Sequence, residues 1–454
     1  MNEKPRSLRI TATLVSIALP LFFVTFSLAG EPDSSGGKPN ILLILVDDLG
    51  YGDLACYGAP DMRTPNFDRL MESGMRFDQF YANCTVCSPT RAALLTGRYQ
   101  DKVGVPGVIR QNDDSWGRLD PNTPTLPNLL KQANYHTGIV GKWHLGYEKP
   151  NIPNSRGFDH FYGFLGDMMD DYWTHLRGDK NWMRYNEEVI QPKGHATEVF
   201  TEAAIHYLEK QAAHEDPFFL YLAYNAPHFP IQPPEEWLEK VRNREPHLSE
   251  KRAKNVAFIE HLDHHIGRVL KSIESLGIQE ETLVIFTSDN GGALPYEQRN
   301  LPLRGGKQDH WEGGIRVPTC VVWPGKIPAQ RSSEPGMTMD LFPTLCEIAG
   351  VEVSHPIDGQ SLLPIWLEGE AADPERVMVW VRREGGSRGG RAYYAIRKGK
   401  WKLLQNDSFE AMQLVDLEAD PLETNPTRSD NKVSKELNWL LMRHIQEAGK
   451  VPWQ

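Results

Sequence analysis

The sequence predicts an α/β fold built on a large, mostly parallel sheet with helices on both faces. Three observations point to it. Residues 40–46 of "NILLILVDDLGYGD" are almost continuously apolar, as a parallel strand buried on both faces must be, and the run stops abruptly at Asp47-Asp48. The same design recurs three times, in "YHTGIVGKWHLG" ending in Lys142 and His144, "PFFLYLAYNAPHFP" ending near His228, and "ETLVIFTSDNGG" ending in Asp289-Asn290. Helical stretches such as "TPNFDRLMESG", "TLPNLLKQAN" and "TEVFTEAAIHYLEKQAA" lie between them. Strands alternating with helices imply a parallel sheet covered on both sides.

The 454 residues suffice for one large domain and a smaller one. At 40% hydrophobic and 24% charged, the composition is that of an ordinary globular chain. The N-terminus stands apart. Lys4, Arg6 and Arg9 precede "ITATLVSIALPLFFVTFSLAG", which is broken by Pro20 and ends in the small residues Ser27, Ala29 and Gly30. This is the layout of a secretory signal peptide over residues 1–30, with cleavage after Ala29 or Gly30. The run is also just long enough to span a bilayer, so a retained anchor is the alternative. Pro20 and the small-residue exit favour cleavage, and the absence of a cysteine there argues against a lipoprotein. A linker over 31–38, containing "DSSGGK", follows. The reading is an exported chain, periplasmic or secreted, with no stable membrane span once the signal is removed.

The net charge is −11, and removing a leader with three basic residues and one acid makes it more negative. An acidic exterior argues against nucleic acid as a partner. An anionic substrate stays open, because a pocket's local field can oppose the net charge. Five cysteines, Cys56, Cys84, Cys87, Cys320 and Cys346, leave an odd one. If one is chemically special, the other four allow three pairings or none.

In parallel sheets of this kind, ligands bind at the carboxyl ends of the strands. The four strands therefore deliver Asp47-Asp48, Lys142 with His144, His228, and Asp289-Asn290 to one rim. Any one tip is weak evidence, since acids and amides after strands are common turn formers. Together they are chemically coherent. Asp47, Asp48, Asp289 and Asn290 offer only oxygen, which selects calcium or magnesium over zinc. Lys142, His144, His228 and Lys307, the last in "LRGGKQDHWEGG", add cationic and proton-transfer groups. That combination suits a phosphate or sulfate clamped while charge moves to a leaving oxygen. The nucleophile is then to be sought in "NCTVCSPTRAALLTGR", at Cys87 or Ser88.

"CSPTRAALLTGR" resembles the signature of the formylglycine-dependent sulfatases, arylsulfatase-like members of the alkaline phosphatase superfamily. In that family the first Cys of Cys-x-Pro-x-Arg is oxidised to formylglycine, and Leu-Thr-Gly-Arg is part of what the maturation enzyme reads. The resemblance runs in order through "DDLGYGDLACYG", "TPNFDRLMESGMRFDQFYA", "GKWHLG", "RGFDHFYGF", "APHFP", "SDNGG", "EGGIRVP", "DLFPTLCEIAG" and "DGQSLLP". "YAIRKGKWKLL" and "LVDLEADPLETN" resemble the family's small antiparallel-sheet domain. The resemblance implies a catalytic domain over 39–355 and an α+β domain carrying an antiparallel sheet over 356–454.

It also implies roles. Cys87, as formylglycine hydrate, is nucleophile and metal ligand. Asp47, Asp48, Asp289 and Asn290 hold the metal, calcium rather than magnesium. Arg91 orients the diol, Lys142 and Lys307 bind sulfate oxygens, His228 with Lys307 protonates the leaving alcohol, and His144 takes the proton that lets sulfate leave. A thiolate attacking a sulfate ester leaves a sulfated enzyme with no easy exit, whereas a hydrated aldehyde has a second hydroxyl that can expel sulfate. The implied substrate is a sulfate ester, of a small molecule or more specifically a carbohydrate. The alternatives are a phosphonate monoester or phosphodiester hydrolase of the same superfamily and a binding protein with a dead site. The intact set of Cys87, Arg91, Lys142, His144, His228 and Lys307 speaks against the last.

Four other features read more blandly. Cys84-x-x-Cys87 lacks the second pair of a zinc site, and the Pro and Arg after Cys87 fit the sulfatase signal better than a redox pair. Cys84 is expected to be packed or disulfide-bonded. In "HLDHHIGRVL", Phe258, Leu262, Ile266, Val269 and Leu270 recur at helical spacing. His261, Asp263, His264 and His265 accordingly read as the outer, polar face of an amphipathic helix and not as a metal cluster. "FYGFLGDMMDDYWTH", with Asp167, Asp170 and Asp171, is either core or pocket wall. Gln308, Asp309 and His310 are placed to add polar groups near the substrate.

Overall fold

The strand Asn40–Val46 is buried along nearly its whole length, and every side chain from Ile41 to Val46 is out of solvent. In this computed structural model, which describes residues 1–2, 37–111, 118–385, 390–428 and 431–450, it lies inside a ten-stranded sheet. The expected signal segment and almost all of the linker lie outside the described residues. In spatial order the strands are Gln330–Ser332, Met75–Phe77, Thr319–Val322, Thr282–Ser288, Asn40–Val46, Phe218–Ala223, His136–Lys142, His160–Phe164, Met183–Tyr185 and Glu188–Val189. The run from Thr282–Ser288 to His160–Phe164 is parallel throughout. Most pairings outside it are antiparallel, so the sheet is mixed, as expected.

Alternate residues of a strand face opposite ways. Leu42, Ile44 and Val46 join a core with Phe67, Phe200, Leu238, Phe258 and Leu262, from the helices Pro65–Glu72, Ala196–Gln211, Glu235–Arg244 and Glu250–Ser275. Ile41, Leu43 and Leu45 join a second core with Leu94, Leu129 and Phe342, from the helices Cys87–Thr96, Leu126–Leu130 and Leu341–Ile348. Each such side chain contributes about 1.5–3 kcal/mol by leaving water, and the sheet is held from both faces.

A four-stranded antiparallel sheet follows in the C-terminal region: Val377–Arg383, Ala392–Lys398, Trp401–Gln405 and Gln413–Asp416. Leu437 and Leu441 of the helix Lys432–Ala448 pack on its Trp380, Ile396 and Leu403. This is the small sheet that the resemblance implied. It is tied to the strand-rich region by buried polar groups. Trp380 Nε1 donates to the Ala82 carbonyl at 2.9 Å. Lys402, fully buried, bridges Glu312 at 2.9 Å and Glu423 at 2.8 Å, and Glu312 also accepts from the Tyr81 hydroxyl at 2.8 Å.

All five cysteines are free thiols, so none of the three possible pairings forms. Cys84 is packed, with its sulfur 3.5 Å from the Val381 carbonyl oxygen.

Lys402→Met tests the junction. It leaves two buried carboxylates without their shared cation, and breaking a buried pair from one side costs about 3–5 kcal/mol. Denaturant unfolding is expected to show a loss of that size, and an unchanged midpoint would refute the assigned role.

Candidate active site

The four adjacent strands Thr282–Ser288, Asn40–Val46, Phe218–Ala223 and His136–Lys142 end on the same edge, and the residues singled out by the sequence follow their tips. The backbone there is unusual. Asp48, His144 and Gln308 have φ of 66°, 60° and 82°, a left-handed region that residues with a β-carbon avoid. Strain of this kind persists only where the surroundings over-determine it, and here it turns three side chains at the site.

Asp47, Asp48, Asp289 and Asn290 are all fully buried. Lys142 Nζ lies 2.5 Å from Asp47 Oδ2, and Lys307 Nζ 2.7 Å from Asp48 Oδ2. Arg91 grips Asp289 Oδ2 through Nη2 at 2.7 Å and Nε at 3.0 Å, and gives Nη1 to the Lys142 carbonyl at 3.1 Å. Three buried carboxylates thus meet three cations. Burial works to raise the carboxyl of Asp47, yet Lys142, His228 and Arg91 bring it below its ordinary value. Lys307 and His228 do the same for Asp48. Asp289 goes the other way, raised by burial and by Asp47.

Oxygen atoms remain without partners. Asp47 Oδ1 and Asn290 Oδ1 are buried and accept no hydrogen bond among the described residues, although Asn290 Nδ2 donates to Asp48 Oδ1 at 2.8 Å. Single ligand atoms of Asp47, Asp48, Cys87 and His228 lie within 4.8 Å of one another. Counted with the neighbouring Asp289 and Asn290, the donors are mostly oxygen, and these residues fit a hard divalent cation.

Cys87 opens the helix Cys87–Thr96, every residue of which is buried. Pro89 sits in the first turn, where its missing N–H costs nothing. The Thr90 hydroxyl ties the turn to Cys84, accepting from its N–H at 3.0 Å and donating to its carbonyl at 3.2 Å. Gly97, at φ 65°, ends the helix in the left-handed cap that glycine favours. Arg91, one turn after Cys87, faces the same way. The Cys87 sulfur is 3.9 Å from Lys307 Nζ. Burial pushes its thiol up to about 12, against the pull of Lys142 and Lys307.

Above these groups is a cleft of about 180 Å³. Cys87, His144, His228 and Lys307 line it, while Arg91, Lys142 and the carboxylates lie beneath. His144 holds the Ile109 carbonyl through Nε2 at 2.8 Å and leaves Nδ1 unpartnered. His228 has Nδ1 2.6 Å from the Phe229 carbonyl oxygen and Nε2 3.6 Å from Asp48. Burial lowers the pKa of both imidazoles, that of His144 strongly, and Lys142 and Lys307 push the same way. A larger groove, about 690 Å³, lies at Tyr162 and Tyr185 and contains none of these residues.

The cleft also has walls that sequence reasoning missed. Arg110, Arg177 and Arg382 line it, each beside an acid: Arg110 and Arg382 on Glu384, Arg177 on Asp167. Asp167 and Met168 make the aromatic-rich stretch a pocket wall at that point. Of the extra polar groups, Gln308 lines the cleft, but the expectation fails for His310, which is fully buried away from it. Asp309 accepts from the Gly306 N–H and shapes the loop.

The helix Glu250–Ser275 departs from expectation. His264 is exposed, but His261, Asp263 and His265 are buried. The apolar stripe marks only one contact face, and the helix also packs against Ala196–Gln211 and Glu235–Arg244, which cover the flanks.

The family model described as "Sulfatase" matches residues 39–351, and "N-sulphoglucosamine sulphohydrolase, C-terminal" matches residues 306–450. An N-acetylgalactosamine-6-sulfatase of Canis lupus familiaris is 37% identical over 369 residues, 76% of this chain and 68% of that protein. Arylsulfatase A of Homo sapiens is 34% identical, covering 80% of this chain and 74% of its own length. Among solved structures, Ps i-CgsB in complex with k-i-k-neocarrahexaose aligns with a TM-score of 0.81 at 32% identity, covering 92% of this chain and 93% of that one.

Proposed function

The chain belongs to the sulfatase family, and on that premise we propose that it hydrolyses sulfate esters of a carbohydrate, using formylglycine at Cys87 and a calcium ion at the strand tips. The position of Cys87 carries this reading: a helix start inside a cluster of lysines and carboxylates, under a cleft. A thiol held near 12 is un-ionised at neutral pH and a poor nucleophile. An aldehyde hydrate at that carbon supplies two hydroxyls, one to attack sulfur and one to release sulfate. Calcium, when bound, stabilises charge on the sulfate oxygens as a Lewis acid. Asp47, Asp48, Asp289 and Asn290 would hold it, with position 87.

The remaining steps fall to this chain's own side chains. Lys142 and Lys307 balance the charge that develops on sulfate. His228 together with Lys307, at the mouth of the site, gives a proton to the departing alcohol. His144, whose Nδ1 has no partner, accepts the proton that allows sulfate to leave. Arg91 holds Asp289 in place through two hydrogen bonds to one carboxylate oxygen. A carbohydrate substrate is supported by what the relatives act on by name and by arginines on the cleft wall, which suit a further anionic group on a sugar chain. Hydrolysis of an aryl sulfate in strong preference to an aryl phosphonate is the expected result. The reverse preference would favour the phosphonate-hydrolase alternative.

Conversion at Cys87 is read by mass spectrometry of the peptide spanning residues 83–91. Active enzyme carrying only unmodified cysteine there would sink the formylglycine assignment. Asp289→Ala is expected to abolish hydrolysis and the calcium-dependent rise in melting temperature together, whereas His264→Ala, on an exposed side chain, preserves both.

The two histidines separate by leaving group. His228→Ala should slow sugar sulfates far more than an activated nitrophenyl sulfate, by roughly 10²–10⁴-fold for the poor leaving group. His144→Ala should release a burst of about one equivalent of phenol and then stall, because the second half-reaction lacks its base. Equal losses on both substrates without a burst would overturn the division of roles.

A further inference from the structure

Away from the cleft, the helices Ala196–Gln211 and Glu250–Ser275 bring Glu198, His261 and His265 together. His261 and His265 are one turn apart on one helix face, with ring centroids 4.5 Å apart and planes at 75°. One carboxylate oxygen of Glu198 and one nitrogen of each ring all lie within 4.8 Å of one another, and His261 Nε2 is 3.5 Å from Glu198 Oε1. His261 is 1% exposed and His265 5%. Among the described residues, neither nitrogen of His261 has a hydrogen-bond partner, nor has Nδ1 of His265. A neutral imidazole has one donor and one acceptor, and buried polar groups are rarely left unpaired.

The neighbours do not explain this vacancy of partners. His195, packed 4.8 Å from the His261 ring, has Nε2 at the Gln232 carbonyl and accepts the Thr197 N–H on Nδ1. Asp263 points elsewhere, to Asn66 and the Phe67 N–H. The Trp237 ring packs 5.7 Å from His261 and 5.5 Å from His264. Lys240 stands over Trp237, and Arg268 is paired with Glu202. Glu198 is partly exposed, opening the cluster to solvent, and Glu236 adds a second negative charge close by.

We propose that Glu198, His261 and His265 form a second metal site for a borderline divalent ion, zinc the best match. Two imidazole nitrogens and one carboxylate are a common zinc set that leaves the fourth position to water. With zinc bonds of about 2.0–2.1 Å the donor atoms would sit roughly 3.3 Å apart, so the side chains would draw closer on binding. The site is a staple and not a second active centre. In metallohydrolases with two such histidines a glutamate base follows the first, and here that position is Leu262, fully buried. The ion would tie together two helices that cover the sheet face bearing Leu42 and Ile44.

The test uses the mature enzyme, stripped by chelation and refilled in excess calcium so that the strand-tip site is saturated. About one zinc per chain is expected by elemental analysis, with a higher melting temperature, and cobalt substituted for it should show visible bands of a four-coordinate ion. His265→Ala and Glu198→Gln should each weaken zinc by roughly tenfold or more while ester hydrolysis in calcium stays unchanged. Should His265→Ala fail to fold, Glu198→Gln, altering a partly exposed group, decides the matter. No zinc on the wild type, undiminished zinc on Glu198→Gln, or zinc lost only with Asp289→Ala would each overturn the proposal.

Discussion

The site depends on packing Asp47, Asp48 and Asp289 side by side without water. Each carboxylate leaves solvent at large cost and repels the others, so each must find a cation within contact distance. The chain supplies these from three separate segments: Arg91 from a helix, Lys142 from a strand end and Lys307 from a loop. Each pair crosses a long stretch of sequence, and only the parallel sheet can bring the partners to one edge. Much of the architecture follows from that demand. The central strands are apolar throughout because helices must cover both faces before such a cluster can be dry. The left-handed turns at Asp48 and His144 aim polar side chains inward from strands whose own faces are committed to the core.

The strand tips were legible because a buried strand announces itself as an unbroken apolar run, and because four such runs end in chemically complementary groups, where one tip alone would have read as a turn. The helix of Cys87 was legible through its motif. Arg110, Arg177 and Arg382 were not. They stand in a loop, a two-residue strand and the end of a strand of the small sheet, far apart in sequence, and only the fold shows that they converge on one cleft. His310 misled because neighbours of a functional lysine need not face the same way. The loop turns at Gln308, whose φ of 82° sends the following residues inward.

The helix Glu250–Ser275 shows a different limit. Periodicity identifies the stripe that meets the sheet, and it did so correctly at Phe258, Leu262, Ile266 and Val269. It assigns everything else to solvent. That inference holds for a helix lying alone on a sheet and fails for one flanked by other helices. Here Trp237 and the helix Ala196–Gln211 enclose a polar flank, and its histidines are buried without the partners that burial normally demands.

Charge accounting within the cleft gives the lysines two possible employments. The three carboxylates and Arg91, Lys142 and Lys307 cancel, so without a further ion the lysines are committed to Asp47 and Asp48 and have little to offer an anion. A divalent cation among the same oxygens would take over that neutralising work. It would leave the cluster net positive by two charges before substrate binds, and Lys142 and Lys307 could then turn toward sulfate. The unpartnered oxygens of Asp47 and Asn290 are the natural place for the exchange to begin, since nothing must be displaced from them. Metal binding and substrate binding would therefore be linked through the lysines: a bound ion would prepare the site for an anion by releasing cations already there, as well as by its own charge.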